Sequence, residues 1–314
     1  MSRYQLLLGD CIESLKKLPE KSIHTCVTSP PYWQLRDYGV DGQIGLEETP
    51  EEFIKKLVAV FREVRRVLRD DGTLWVNIGD SWSKNKQLMG MPWRLAFALQ
   101  DDGWYLRQDI IWNKSNPMPE SVQDRCTKAH EYVFLLSKSK RYHFDHRAIK
   151  EPAVGSGEIG TGVGWNHTSK ADPRDGRADR ARSRRDSFKR EGSKREQTIP
   201  GQAYGTHRPD REESDWDTTT RNRRSVWTVA TRPFKGAHFA TFPPALVEPC
   251  ILAGCPVGGT VLDPFGGSGT TAGVAIVHGR DAVLCELNPD YAALVPARIE
   301  NIEAMYGKKK GKAA

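Results

Sequence analysis

The chain has 314 residues, enough to bury a sizeable core in one large or two modest domains. Apolar residues make up 38% of it, and no apolar run approaches the ~20 residues a spanning helix requires, which excludes a helical membrane protein. A net charge of +7 suits a polyanionic partner, and the excess is local: between Lys170 and Arg195, eleven Lys and Arg stand against five Asp and Glu.

The six cysteines (11, 26, 126, 250, 255 and 285) are scattered without a Cys-x-x-Cys pair, which argues against a disulfide framework or structural zinc. No charged-then-apolar leader opens the chain, so the expectation is a cytoplasmic protein with reduced thiols. His143 and His146 form an isolated pair, and no metal site is expected.

In chain order, Tyr4 to Leu8 reads as a short strand, followed by Asp10 as helix N-cap with Glu13 as capping-box partner and a helix through Leu18. His24 to Thr28 is a second strand, and the polar loop from Gln34 to Glu48 could fold over a bound base. Thr49-Pro50-Glu51-Glu52 starts a helix that Asp71-Gly72 should stop. Thr73 to Ile78 is a strand, Pro92 to Leu99 a helix, and Trp104 to Trp112 and Glu131 to Ser137 are further strands. From Ala153 to about Val229 apolar periodicity vanishes, leaving Trp165, Trp216 and Trp227 as bulky anchors among arginines, a composition suited to nucleic acid. The alternating pattern then resumes: a helix over Ala245 to Ala253, a strand over Gly259 to Leu262, a helix over Thr270 to His278, a strand over Ala282 to Cys285 and a last helix from Pro289 to about Met305. Alternating strands and helices predict an α/β layer around a mostly parallel sheet. The organisation expected is 1–150 and 231–306 as two halves of one α/β domain, 151–230 as a basic insertion, and 307–314 as a basic disordered tail.

Two stretches carry chemistry. In Thr28-Ser29-Pro30-Pro31-Tyr32-Trp33 two prolines remove backbone donors at a strand end. A serine oxygen and the Pro30 carbonyl can then each accept one hydrogen of an amino group, with Tyr32 as a stacking face. The simpler reading is a proline-rich turn with an aromatic contact. Far along the chain, Gly266-Gly267-Ser268-Gly269 permits a tight turn at a helix N-terminus. It lacks the lysine of a P-loop and the dinucleotide Gly-x-Gly-x-x-Gly spacing. Glu286 follows Asp263 by 23 residues, about one strand-helix-strand unit, where a carboxylate can accept from ribose hydroxyls. Asp10, Ser29, Asp263 and Glu286 all fall at predicted carboxyl ends of strands, where open α/β sheets bind ligands.

Together these stretches resemble a family. Thr-Ser-Pro-Pro-Tyr-Trp at 28–33 is similar to the catalytic motif of S-adenosylmethionine-dependent DNA amino-methyltransferases, and Asp-Pro-Phe-Gly-Gly-Ser-Gly-Thr-Thr at 263–271 to their cofactor motif. His-Phe-Ala-Thr-Phe-Pro at 238–243 resembles the segment that precedes the cofactor motif. Catalytic motif first and cofactor motif last resembles the circularly permuted β class. The resemblance implies a Rossmann-like methyltransferase fold, helices on both faces of a mostly parallel sheet, and an inserted target-recognition region. It implies Ser29, Pro30, Pro31 and Tyr32 as catalytic, with Trp33 and Arg36 near the extruded base and Arg182, Arg184 and Arg185 on DNA. The cofactor, S-adenosylmethionine, would be held by Asp10, His238, Phe239, Asp263, Pro264, Phe265, Gly267, Ser268, Gly269, Glu286 and Asn288. Double-stranded DNA is the implied partner, with a cognate restriction endonuclease encoded separately. In the family, serine at position 29 goes more often with cytosine-N4 than with adenine-N6. The alternatives are adenine as target, a DNA-binding protein with a relict cofactor pocket, and methylation of a protein glutamine.

Overall fold

A computed structural model describes residues 4–153, 219–231 and 242–310. The chain divides into two compact units, one of 1–150 with 222–314 and one of 151–221. In the smaller unit the described residues form an antiparallel pair, β6 (Glu151–Pro152) and β7 (Thr220–Arg221), closed by an Arg221–Glu151 ion pair at 2.9 Å.

The larger unit is built on eight strands: β1 (Tyr4–Leu8), β2 (Ile23–Thr28), β3 (Leu68–Ile78), β4 (Tyr105–Asn113), β5 (His130–Ser137), β8 (Val226–Thr228), β9 (Thr260–Asp263) and β10 (Asp281–Glu286). They form one sheet in the order β1-β10-β9-β2-β3-β5-β4-β8. Every pairing is parallel except those of β5 with β3 and β4. The sheet is therefore mostly parallel, as the strand-helix alternation predicts.

Alternation along the strands shows how both faces are covered. Cys26, Leu74, Val76, Phe134, Leu262 and Cys285 pack with residues of α1 (Cys11–Lys16), α2 (Pro50–Val67) and α3 (Met91–Asp101). Their chain neighbours Val27, Trp75, Val133, Leu135, Val261 and Leu284 pack with α4 (Pro244–Gly254), α5 (Thr270–Val277) and α7 (Val295–Lys310). Cys26 and Cys285 are core residues, as their apolar settings suggest. No helix among the described residues is long and apolar enough to cross a membrane.

Local departures from the sequence reading have identifiable causes. Asp10 caps α1 by accepting from the Glu13 amide at 3.0 Å, but the Glu13 carboxylate takes Lys16 instead of closing a capping box, and the helix ends at Lys16. Helix α2 stops at Val67, before Asp71-Gly72, because fully buried Leu68 already pairs with Ile23 of β2. Gly72 instead serves the irregular register there: a Cβ would lie 3.0 Å from the Arg69 carbonyl oxygen. The last helix is two, α6 (Pro289–Ala292) and α7, since Pro296 has no N–H to continue the ladder from Ala292. Residues of the expected basic tail are helical as far as Lys310. Trp227, read as an anchor of the basic stretch, is a core residue on the sheet, 6.4 Å from Trp75 between ring centroids.

Candidate active site

Because the central strands run parallel, β1, β2, β3, β4, β9 and β10 deliver their carboxyl ends to one edge of the sheet. Antiparallel β5 brings its first residues, His130 and Glu131, to the same edge. A cleft open to solvent lies there. Asp10, Ser29, Pro31, Pro264, Phe265, Gly267, Ser268, Glu286 and Asn288 all line it. The serine of the first motif and the glycine turn of the second thus open onto one cavity.

The glycine turn is held from below. Glu286 accepts from the Gly267 amide at 2.6 Å through Oε2 and from the Asn288 amide at 2.8 Å through Oε1. Burial raises the Glu286 pKa, and those two backbone bonds oppose the shift. Gly266 must lack a side chain, since a Cβ would come 2.9 Å from Leu284 Cβ. Gly269, the α5 N-cap, has φ +90° and a Cβ there would meet Val295 Cγ1 at 2.9 Å. Ser268 is buried in the cavity wall, and its Oγ has no hydrogen-bond partner among the described residues.

Several predicted site residues do not reach the cleft. Asp263 is wholly buried beneath it, accepting from Thr28 Oγ1 and Thr271 Oγ1, each at 2.6 Å, and from the Phe265 amide at 3.1 Å. Burial pushes its carboxyl up to about 6. Trp33 belongs to the core, its Nε1 donating to the Glu47 carbonyl at 3.0 Å, because the following loop folds back over it. That loop lines the cleft through Tyr38, Val40, Gly42, Gln43 and Ile44, beside the glycine turn. Arg36 is not a lining residue, and its charge acts on Tyr38 and Tyr291 of the same wall. Pro30 and Gly269 are buried, and neither they nor Tyr32 line the cleft. Arg182, Arg184, Arg185, His238 and Phe239 lie outside the described residues.

Next to Ser29 stands a polar group that sequence reasoning missed. The Tyr32 hydroxyl donates to Glu131 Oε2 at 2.7 Å, and Asn77 Nδ2 donates both to the Tyr32 oxygen at 2.8 Å and to Glu131 Oε2 at 2.7 Å. Lys114 pairs with Glu131 Oε1. Burial drives the Tyr32 pKa well above the ordinary tyrosine range and the Glu131 charge adds to it, while the Asn77 hydrogen bond and the nearby Ser29 side chain work the other way. Asn77 follows Val76, the register partner of Thr28, so a polar residue ending an apolar strand was a readable signal. Glu131 was not, because only the antiparallel pairing brings it to this edge. Burial raises the Cys11 thiol to about 12 and raises Cys285 too, so neither cleft cysteine is a nucleophile at neutral pH.

A mostly parallel sheet with a glycine turn and a spaced acid at one edge is a Rossmann-like α/β arrangement, and solved DNA methyltransferases share it. PvuII DNA methyltransferase (cytosine-N4-specific) shares the fold with TM-score 0.64 at 19% identity, covering 98% of this chain and 94% of that one. TTHA0409 of Thermus thermophilus, solved with S-adenosyl-L-methionine, aligns with TM-score 0.58 at 24% identity over 96% of both chains. The DNA methylase family N6_N4_Mtase matches residues 23–296. Type II methyltransferase M.XycI of Xanthomonas campestris pv. cyanopsidis is 42% identical over 94% of this chain and 87% of its own. M.SmaI of Serratia marcescens is 42% identical over 94% and 90%. The chain belongs to the N6/N4 DNA methylase family and is an enzyme, a Type II DNA methyltransferase.

The methyl donor of this family is S-adenosylmethionine, and the cleft fits it. An orphaned buried hydroxyl (Ser268), two glycine positions closed to a Cβ and an acid at the end of β10 suit a ligand with polar ends, and the apolar walls suit its flat part.

Proposed function

We propose that the protein methylates the exocyclic N4 of cytosine in double-stranded DNA, using S-adenosylmethionine, within a restriction-modification pair whose endonuclease is encoded separately. The observation that carries this reading is the shared cleft of Ser29 and the Gly266–Ser268 turn. S-adenosylmethionine supplies an electrophilic methyl group on a sulfonium centre.

The chain's own residues do the rest. An exocyclic amino nitrogen is a poor nucleophile because its lone pair is delocalised into the ring. Ser29 and the Pro30 carbonyl accept its two hydrogens, favouring a pyramidal nitrogen and stabilising the positive charge that grows on it. Tyr32 stacks on the extruded base, and ~1–3 kcal/mol of stacking offsets part of the few kcal/mol that extrusion costs. Asp10, Ser268, Glu286 and Asn288 hold the donor against the glycine turn. Positioning both reactants in one cleft supplies much of the remaining acceleration.

The choice of cytosine rests on Ser29, a neutral and weaker acceptor than the aspartate more common with adenine in the family. The cytosine-N4 name of the PvuII enzyme belongs to a protein related at the level of fold. The basic segment around Arg182, Arg184 and Arg185 serves DNA, so affinity should fall steeply with salt. Nucleoside analysis of DNA methylated by the protein decides the base: N4-methylcytosine supports the reading, N6-methyladenine replaces the base, and no methylated nucleoside refutes it.

A further inference from the structure

Two loops make a second surface at the edge where the cleft opens: residues 79–90, which follow β3, and residues 114–129, which join β4 to β5. The loops are fastened to each other. Lys86 pairs with Asp124 at 2.9 Å, Lys128 Nζ donates to the Asp80 carbonyl at 2.7 Å, and Arg125 and Lys128 lie over the Trp82 ring at 3.8 and 5.0 Å. Lys84, Lys86, Lys114, Arg125 and Lys128 outnumber the three acids of these loops, so the surface suits a polyanion.

From the second loop projects Met118, 84% exposed. A single exposed apolar side chain is ordinary, but the mounting of this one is not. Two residues before it, Asn116 accepts from the Thr231 amide at 2.8 Å and donates to the Thr231 carbonyl at 3.1 Å. Two residues after it, Glu120 accepts from Arg125 Nη1 at 2.6 Å and from the Lys128 amide at 3.3 Å. Pro117 and Pro119 fix φ on either side. An apolar side chain is thus held out in water on a stiff tip, whose ordering entropy is already lost in folding. The tip also belongs to the base side of the site. Lys114, where the loop starts, pairs with Glu131, which accepts from the Tyr32 hydroxyl at 2.7 Å. Met118 comes four residues after Lys114, a reach of at most about 14 Å, or about four base steps of a duplex.

We propose that Met118 is a positioning residue that enters the duplex beside the target and fills the space the extruded base vacates. The inference rests on the functional reading above, in which the base leaves the helix. Extrusion breaks stacking on both sides of the target and leaves an apolar gap. A slender, unbranched thioether fits between base pairs and covers their faces. Cations of the two loops hold phosphates nearby and carry the tip to the duplex.

The test is Met118→Ala, measured as the single-turnover methylation rate on duplexes carrying the protein's methylation site, with 2-aminopurine next to the target to report unstacking. On fully paired DNA the rate should be about tenfold lower, with cofactor affinity and thermal midpoint as in wild type. Where the target base is mispaired, and so already loosely held, the loss should be at most about twofold. Met118→Leu keeps the apolar bulk and should stay near the wild-type rate. An equal loss on paired and mispaired DNA overturns the proposal, because the residue then acts on docking or on the chemistry. A wild-type rate for Met118→Ala on paired DNA overturns it as well, and so does a Leu variant as slow as the Ala variant. Fluorescence separates the two levels. If it rises when wild type binds and Met118→Ala matches it in signal and rate, only the role of Met118 falls. If wild type leaves the 2-aminopurine stacked, the base does not leave the helix, and the functional reading falls and takes this inference with it.

Discussion

Thr28 donates its hydroxyl hydrogen to Asp263 across 2.6 Å, joining residues 235 positions apart in the chain. Thr28 immediately precedes Ser29, and Asp263 immediately precedes the Pro264–Gly267 wall of the cleft. The two motifs are thus tied by one buried bond under the site, between strands β2 and β9 that pair directly. Asp263 acts as a brace holding both halves of the cleft at a fixed separation. Thr28→Val keeps the shape and removes the donor. Stability should fall by about 1–3 kcal/mol, and cofactor affinity and turnover should fall together. Calorimetry and cofactor titration check this; unchanged cofactor affinity would show that the halves are not coupled through this bond.

Asp263 also gives the fold a pH signature. Burial raises its pKa to about 6, so the native state binds its proton more readily than the unfolded chain does. Between the ordinary carboxylate range and about 6, stability from this group therefore rises as pH falls. Asp263→Asn mimics the protonated form. Its thermal midpoint should exceed that of wild type at pH 7 by the equivalent of about 2–3 kcal/mol, and the gap should shrink to roughly half by pH 5 and close only below the ordinary carboxylate pKa of about 4. His24 runs the opposite way: its Nδ1 accepts from the Thr260 amide at 3.0 Å and burial lowers its pKa. Its contribution is complete above the ordinary histidine pKa and is lost as pH falls through the lowered one. Comparing variant with wild type at each pH cancels the His24 slope. A gap independent of pH would contradict the titration of Asp263.

Gly79 shapes the base side by what it omits. Its Cβ would sit 2.7 Å from Tyr32 Cε2 and 3.4 Å from the Glu131 carboxyl carbon. Its φ is not among the positive values, so alanine fits the backbone and fails only on the ring. Gly79→Ala should displace Tyr32 and cut kcat about tenfold to a hundredfold, since a misplacement of about 1 Å carries that penalty. Cofactor affinity should hold, because Gly79 does not line the cleft. Normal kcat in this variant would mean that the Tyr32 ring position is unimportant.

What the sequence made legible follows from locality. Strand alternation and the caps at Asp10 and Thr49 are written within a few residues, and so are the two motifs whose residues line the cleft. The burial of Trp33 was not legible, because it depends on Glu47, 14 residues later, turning its carbonyl back onto the indole. Asp263 looked like a ligand contact because it ends a strand beside the glycine turn. Its partners Thr28 and Thr271 show that a strand's last residue can point under a site as readily as into it. Glu131 needed the sheet order before it could be placed at all.

Ser268 and Ser29 line the same cleft and should fail differently when truncated. Ser268 Oγ is buried and without a partner among the described residues, as suits a donor or acceptor for the cofactor. Ser268→Ala should weaken cofactor binding about tenfold, the worth of one well-made hydrogen bond, with kcat at saturating cofactor nearly unchanged. Ser29→Ala should leave cofactor affinity intact and remove an interaction that strengthens as nitrogen gains charge, lowering kcat about a hundredfold or more. Titration of cofactor against each variant, followed by turnover at saturation, separates the two. The converse pattern, Ser268 acting on kcat and Ser29 on cofactor affinity, would require the two halves of the cleft to exchange roles.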